Sequence, residues 1–198
     1  MRRFVVCLGT VILVLGIAGM AAAITFSPND DADLYDLDHH YYYDWGIDWT
    51  VPDGQLIISA SLFFDDIRNW DNNEHHLYGH LLDTVDTSTG GDVHQLWDNQ
   101  GGGDNWSGQG LLLFHWDDIT SLMAGEDRTY SFDASEIATL NTYAADGNFG
   151  FGFDPDCHFF NDKVTFTVET AAVPEPATGL LVGTGLIGLV WLRRKFRA

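Results

Sequence analysis

From Gln55 to Phe64 the chain reads QLIISASLFF, with Leu56, Ile58, Ala60, Leu62 and Phe64 in one phase of a two-residue period and Ile57, Ser59, Ser61 and Phe63 in the other. Successive side chains of an extended chain point to opposite faces, so this stretch predicts a strand whose drier face carries Leu56 through Phe64. Asp44 to Val51 precedes it across Pro52-Asp53-Gly54, a proline-led turn, and the two predict a hairpin. Further strands are predicted at Leu77 to Leu82, Leu111 to Trp116, Thr129 to Phe132, Phe149 to Phe153 and Val164 to Val168, and in Phe149 to Phe153 the three phenylalanines share a face opposite Gly150 and Gly152. One segment has a helical period: Asp133 and Glu136 make a capping-box start, Ile137, Leu140 and Ala144 fall on one face, and Asp146-Gly147 ends it. Between Thr84 and Gly110 the glycine pairs and triplets interrupt any period and predict a long loop, the kind of segment where binding surfaces often lie. Seven short strands separated by turn residues predict an all-β fold, an antiparallel β-sandwich of jelly-roll type with one short helix.

Both ends depart from this pattern. Arg2-Arg3, an apolar stretch from Phe4 to Met20 and Ala21-Ala22-Ala23 have the charged, apolar and small-residue regions of a secretory signal peptide. The small residues Ala21 and Ala23 place the cut after Ala23 and start the mature chain at Ile24. An uncleaved N-terminal anchor is the alternative. At the other end, Val173-Pro174-Glu175-Pro176 leads into an apolar run from Ala177 to Leu192 and then Arg193-Arg194-Lys195-Phe196-Arg197. A helix over 177–192 spans about 24 Å, slightly under the hydrocarbon core, so Trp191 and the basic cluster sit at one interface with that end in the cytoplasm. The chain thus divides into a signal peptide at 1–23, an exported domain at 24–172 and a terminal segment at 173–198.

A Pro-Glu-Pro tripeptide, a short Gly-containing apolar helix and a terminal Arg/Lys cluster, in this order, resemble the PEP-CTERM sorting signal of Gram-negative bacteria. The resemblance implies Sec-type export and recognition by an exosortase, an integral membrane transpeptidase that cuts at the tripeptide, here Pro174, Glu175 and Pro176. It further implies an inner-membrane-anchored precursor that passes to the envelope, cell surface or exopolysaccharide matrix. A plain tail anchor is the alternative, but it has no need of two prolines that hold the chain extended and accessible. The signal speaks of sorting, not of the cargo.

Charge narrows the classes open to that cargo. Of nine Lys and Arg, six lie in the terminal segments, and of 29 acids only Glu175 does, so the domain carries three cations against 28 acids, a net −25. Such a field repels nucleic acid and favours divalent cations or solubility in a crowded matrix. The wealth of Trp, Tyr and Phe distinguishes it from a disordered acidic tail. With Cys7 in the signal peptide, Cys157 has no intramolecular partner, and it reads as a buried small hydrophobe or as a thiol for an intermolecular link.

Asp154-Pro155-Asp156 with Asp162 is the acidic cluster best placed to hold calcium, since it sets carboxylates in a tight turn between two strands, although no cluster has EF-hand spacing and each also reads as a solvated surface. His75, His76 and His80 lack the helical spacing of a zinc site, and on a strand His76 and His80 lie about 13 Å apart. There is no nucleophile elbow, and Cys157 and His158 fall on opposite faces of an extended chain, so no catalytic residue is expected; glycoside processing is the low-ranked enzymatic alternative. Trp97 and Trp106, in or beside Asp/Asn/Gly-rich segments, are candidates for stacking on sugars or, alternatively, anchors of the long loop. The expected protein is an exported matrix-associated structural or interaction domain, with a calcium-assisted carbohydrate-binding module as the competing reading.

Overall fold

A computed structural model describes residues 22–29, 33–71, 73, 75–85, 91–99, 102–117, 119 and 124–173. The strands are β1 (Ala22–Phe26), β2 (Asp36–Leu37), β3 (Tyr41–Asp48), β4 (Gln55–Asn69), β5 (Leu77–Leu82), β6 (Val93–Trp97), β7 (Leu111–Trp116), β8 (Glu126–Ser131), β9 (Asn148–Pro155), β10 (Phe159–Phe160) and β11 (Lys163–Ala172). The helix α1 spans Ala134–Tyr143, and a 3-10 turn at Asp33–Tyr35 precedes β2. Every pairing is antiparallel. One sheet runs β1-β11-β4-β10-β2 with β8 also on β4, and the other runs β6-β3-β9-β5-β7.

The chain is therefore mostly antiparallel β with one short helix, as its alternation predicts. Phe149, Phe151 and Phe153 point together into the core, where Phe151 meets Phe166 of β11 at 4.7 Å and Phe153 meets Phe64 of β4 at 5.6 Å, ring centre to ring centre. These contacts join the inner faces of the two sheets. The helix begins at Asp133, whose carboxylate accepts from the backbone of Ser135 and Glu136 while Glu136 reaches back to the Asp133 N–H. It also completes a sheet edge: beyond the end of β8, Asn141 Oδ1 accepts the Ile57 N–H and its Nδ2 donates to the Ile57 carbonyl, both at 2.9 Å.

Four expectations change. Asp44–Val51 and Gln55–Phe64 do not form a hairpin, because β3 pairs with β6 and β9 while β4 crosses to the other sheet. The phase of β4 breaks at Ile58, where the register with β11 slips between Glu169 and Thr170. This bulge buries Ile57 and leaves Leu56 and Ile58 at 48% and 52% exposure, whereas Ala60, Leu62 and Phe64 keep the expected inward face. The long loop contains a strand, β6, which lies on the edge beside β3. Finally, Ala22 and Ala23 belong to β1, opposite Thr170 and Glu169, so a cut after Ala23 leaves Ile24–Phe26 in that strand.

Candidate functional site

The outer face of the five-stranded sheet is built around the alternate residues of β9. Phe149, Phe151 and Phe153 face the core, so Gly150, Gly152 and Asp154 face outward. Without side chains the two glycines leave a trough that Val85 and Trp106 cover: a Cβ on Gly150 would sit 2.7 Å from Val85 Cγ2, and one on Gly152 2.7 Å from the Trp106 indole Nε1. Trp106 is only 7% exposed, packs with Leu82 and Val85, and meets Tyr42 edge-on at 5.2 Å. Its indole is an anchor for the loop and does not offer a face to a sugar, which corrects its standing as a stacking residue.

Carboxylates tie this loop to the sheet. Asn105 N donates to Asp154 Oδ2 at 2.5 Å and Gly103 N to Asp156 Oδ1 at 2.6 Å. Asp104 Oδ1 accepts the Trp106 N–H, and its Oδ2 lies 3.0 Å from His80 Nε2. Gly102 and Gly103 take φ of 130° and 97°, which lets the backbone turn its N–H groups toward these acids. Sequence reading sees the glycines but not their partners, which lie about fifty residues further along the chain.

Asp154 is fully buried, and its Oδ1 has no hydrogen-bond partner. Burial pushes its pKa up to about 6; the bonds from Asn105 oppose the shift, and the charges of Asp98 and Asp156 add to it. The Asp156 carboxyl is also raised, by burial first, with Asp98 adding and Gly103, His76 and His115 opposing. The expected third ligand, Asp162, is elsewhere. It is exposed on the six-stranded sheet, where its carboxylate pairs with Arg68 at 3.2 Å and its N–H bonds to the Asp65 carbonyl. The two-residue strand β10 intervenes between Asp156 and Asp162.

A strip of rings adjoins the loop. Trp97, at the end of edge strand β6, is 57% exposed and lies 6.1 Å from the His40 ring and 5.5 Å from Tyr41. His40 leads to His39 at 4.1 Å, His39 to His158 at 6.4 Å, and His158 to Trp70 at 5.9 Å and Phe160 at 4.6 Å. Trp70 is itself 55% exposed and nearly parallel to the His158 ring. His158 bonds to Asp36, and Asp38 Oδ1 accepts the His40 N–H at 2.9 Å and lies 2.7 Å from His40 Nδ1. Burial raises the Asp38 carboxyl, but the bonds from His40 and the His158 charge outweigh it and hold the group below its ordinary value. Asp38, His39 and His40 are the one trio among the described residues whose ligand atoms lie within 4.8 Å of one another, an arrangement that the turn-closing bonds of Asp38 already account for.

His75, His76 and His80 go three ways. His75 pairs with Asp71 at 2.6 Å, His76 with His115 at 3.0 Å, and His80 with Asp104. Cys157 is half-buried and forms no disulfide among the described residues.

The strand β11 ends at Ala172, opposite Gln55, and Val173 N bonds to the Gly54 carbonyl at 2.8 Å. Pro174 follows directly in sequence. Ala22 lies opposite Thr170, so β1 begins at the end of the sheet where β11 finishes. Ala21, Pro174, Glu175, Pro176 and the apolar run at 177–192 lie outside the described residues, as does most of the signal-peptide segment; among the described residues no helix is long and apolar enough to cross a membrane. No curated protein matches the chain in a sequence comparison. Residues 172–195 match the PEP-CTERM protein-sorting motif. The match begins where β11 ends and takes in the Pro-Glu-Pro, apolar and basic parts, so the chain carries a PEP-CTERM sorting signal, the mark of an exported protein sorted by an exosortase.

Proposed function

We propose that the exported domain is a non-enzymatic matrix-interaction module that contacts neutral polysaccharide at the cell surface or in the extracellular matrix. The ring strip from Trp97 through His40, His39 and His158 to Trp70 carries this reading. Its two indoles are more than half exposed, although a folded domain would ordinarily bury much of such large apolar surfaces. Exposed aromatic faces suit the C–H faces of pyranose rings, and the flanking Asp36 and Asp38 carboxylates suit their hydroxyls. A domain with a net charge of −25 repels polyanions, which favours neutral chains. The strand order β1-β11-β4-β8 over β6-β3-β9-β5-β7 supports the jelly-roll reading, since the strands of five residues or more alternate between sheets except for β5, β6 and β7, which lie in one sheet.

The double variant Trp70→Ala with Trp97→Ala is expected to lose at least about 1.4 kcal/mol of polysaccharide binding, a tenfold weakening, in affinity electrophoresis against neutral glycans, with its melting temperature nearly unchanged. Retention equal to that of the unmodified chain would overturn the contact. Sorting has its own test: replacing Pro174, Glu175 and Pro176 by alanine is expected to hold the protein in the inner membrane. Undiminished release to the surface, read by membrane fractionation, would contradict exosortase processing at that tripeptide.

A further inference from the structure

We propose that Leu56, Ile58 and Val173 form a lipid-docking patch that seats the exported domain on the bilayer while its tail is attached, with the ring strip held outward. The contact rests on the reading that the apolar run at 177–192 enters the membrane.

Six large apolar side chains stand exposed among the described residues. Trp70 and Trp97 belong to the strip and Leu112 lies on the edge strand β7, whereas Leu56, Ile58 and Val173, each 42–52% exposed, gather at one end of the six-stranded sheet. The register brings them together. Ile57 and its partner Thr170 point into the core, so Leu56, opposite Ala171, points outward. The bulge leaves Ile58 on the same side, and Val173, two residues beyond Ala171 and bonded to the Gly54 carbonyl, continues that face. Ser59, Ser61 and Thr167 extend it with hydroxyls, while Glu169, opposite Ser59, and Asp53, in the adjoining turn, lie beside it. In a domain of net charge −25, a face of hydroxyls and apolar groups is the side that meets least repulsion from a lipid surface.

The occupant follows from where the chain leaves the sheet. Pro174, Glu175 and Pro176 alone separate Val173 from Ala177, the first residue of the apolar run, and four residue steps reach at most about 14 Å. A run inserted in the bilayer keeps Val173 within that distance of the hydrocarbon, and Leu56 and Ile58 with it. Three half-exposed side chains are too few for a stable contact between two proteins, which buries about 800 Å² on each partner. On a tethered domain they suffice, because the tail makes docking an intramolecular event at high effective concentration. The strand β4 then carries the chain away from the membrane. Trp70 lies fourteen residues beyond Leu56, up to about 46 Å of extended strand, so docking at one end of β4 leaves the ring strip at the other.

The test uses the full-length chain in vesicles of neutral phosphatidylcholine, with Cys7 and Cys157 replaced by serine and a fluorophore on one introduced cysteine. Nitroxide-labelled lipids are expected to quench a probe at Ser59→Cys at least about threefold more than one at Asn73→Cys, three residues beyond Trp70. Adding Leu56→Ser and Ile58→Ser is expected to abolish that difference with the melting temperature nearly unchanged. A probe at Leu186→Cys reports the tail. Strong quenching there, with equal and weak quenching at Ser59→Cys and Asn73→Cys, overturns the docking and leaves the anchor. No quenching at Leu186→Cys overturns the anchor and the docking with it. A dimer in detergent that Leu56→Ser with Ile58→Ser dissolves, without quenching at Ser59→Cys, assigns the patch to a second copy and overturns the lipid contact.

Discussion

Trp106→Ala is expected to destabilise the domain by about 3–5 kcal/mol, while Trp97→Ala costs under about 1 kcal/mol. Both indoles come from the same Asp/Gly-rich stretch of sequence, yet they differ in what lies beneath them. Trp106 lies against Gly152, beside Val85 over Gly150, and packs with Leu82, Val85 and Tyr42, so its removal opens a cavity among them. It also releases the segment that carries Asp104 and Asn105 over the buried Asp154. Trp97 lies outward on an edge strand and loses little apolar burial. Equilibrium urea unfolding of the two variants checks the contrast. Equal midpoints would mean that the trough closes by itself and that Trp106 is not the anchor of the loop.

The features legible in the sequence are those with local causes. The capping box of α1 needs only Asp133 and Glu136 three residues apart, and the Phe149-Phe151-Phe153 face needs only the period of two. The bulge at Ile58 was not legible, because its cause lies in how β4 meets Glu169 and Thr170 of β11, more than a hundred residues away. Leu56 and Ile58 continue the hydrophobic phase in the sequence while the backbone turns them outward. The false hairpin has the same origin: Pro52-Asp53-Gly54 does turn the chain, with the Gln55 N–H bonding to the Pro52 carbonyl, but the turn leads to the other sheet. The site was half legible. Asp154 and Asp156 were singled out and both hold the loop, whereas Asp162 lies apart because β10 intervenes. One unused signal was the Phe-Gly-Phe-Gly-Phe run itself: a strand with bare glycines on one face needs side chains from elsewhere to cover it, and Val85 over Gly150 and Trp106 over Gly152 are those residues.

Asp154→Asn is expected to stabilise the EDTA-stripped chain at pH 7 by about 1–3 kcal/mol and to flatten its response to acid. The Asp154 carboxyl is raised from 3.8 to about 6, chiefly by burial, so folding favours its protonated form. Between these two values the folded state binds more protons than the unfolded one, and stability falls as pH rises. Above pH 6 the full cost remains, about 3 kcal/mol for a shift of this size. Acidification from pH 7 to pH 5 should therefore recover about 1 kcal/mol through this group. Asp98 and Asp156 share its surroundings, Asp104 and Tyr78 lie nearby, and His76 and His115 act on Asp156, so only the difference between the unmodified chain and the variant isolates Asp154. The asparagine keeps an oxygen for the Asn105 N–H and replaces the orphaned anionic oxygen with a donor beside two carboxylates. Urea unfolding of both proteins at pH 5 and pH 7 reads the effect. A variant less stable than the unmodified chain at pH 7, or one with the same pH slope, would show that Asp154 is compensated in solution.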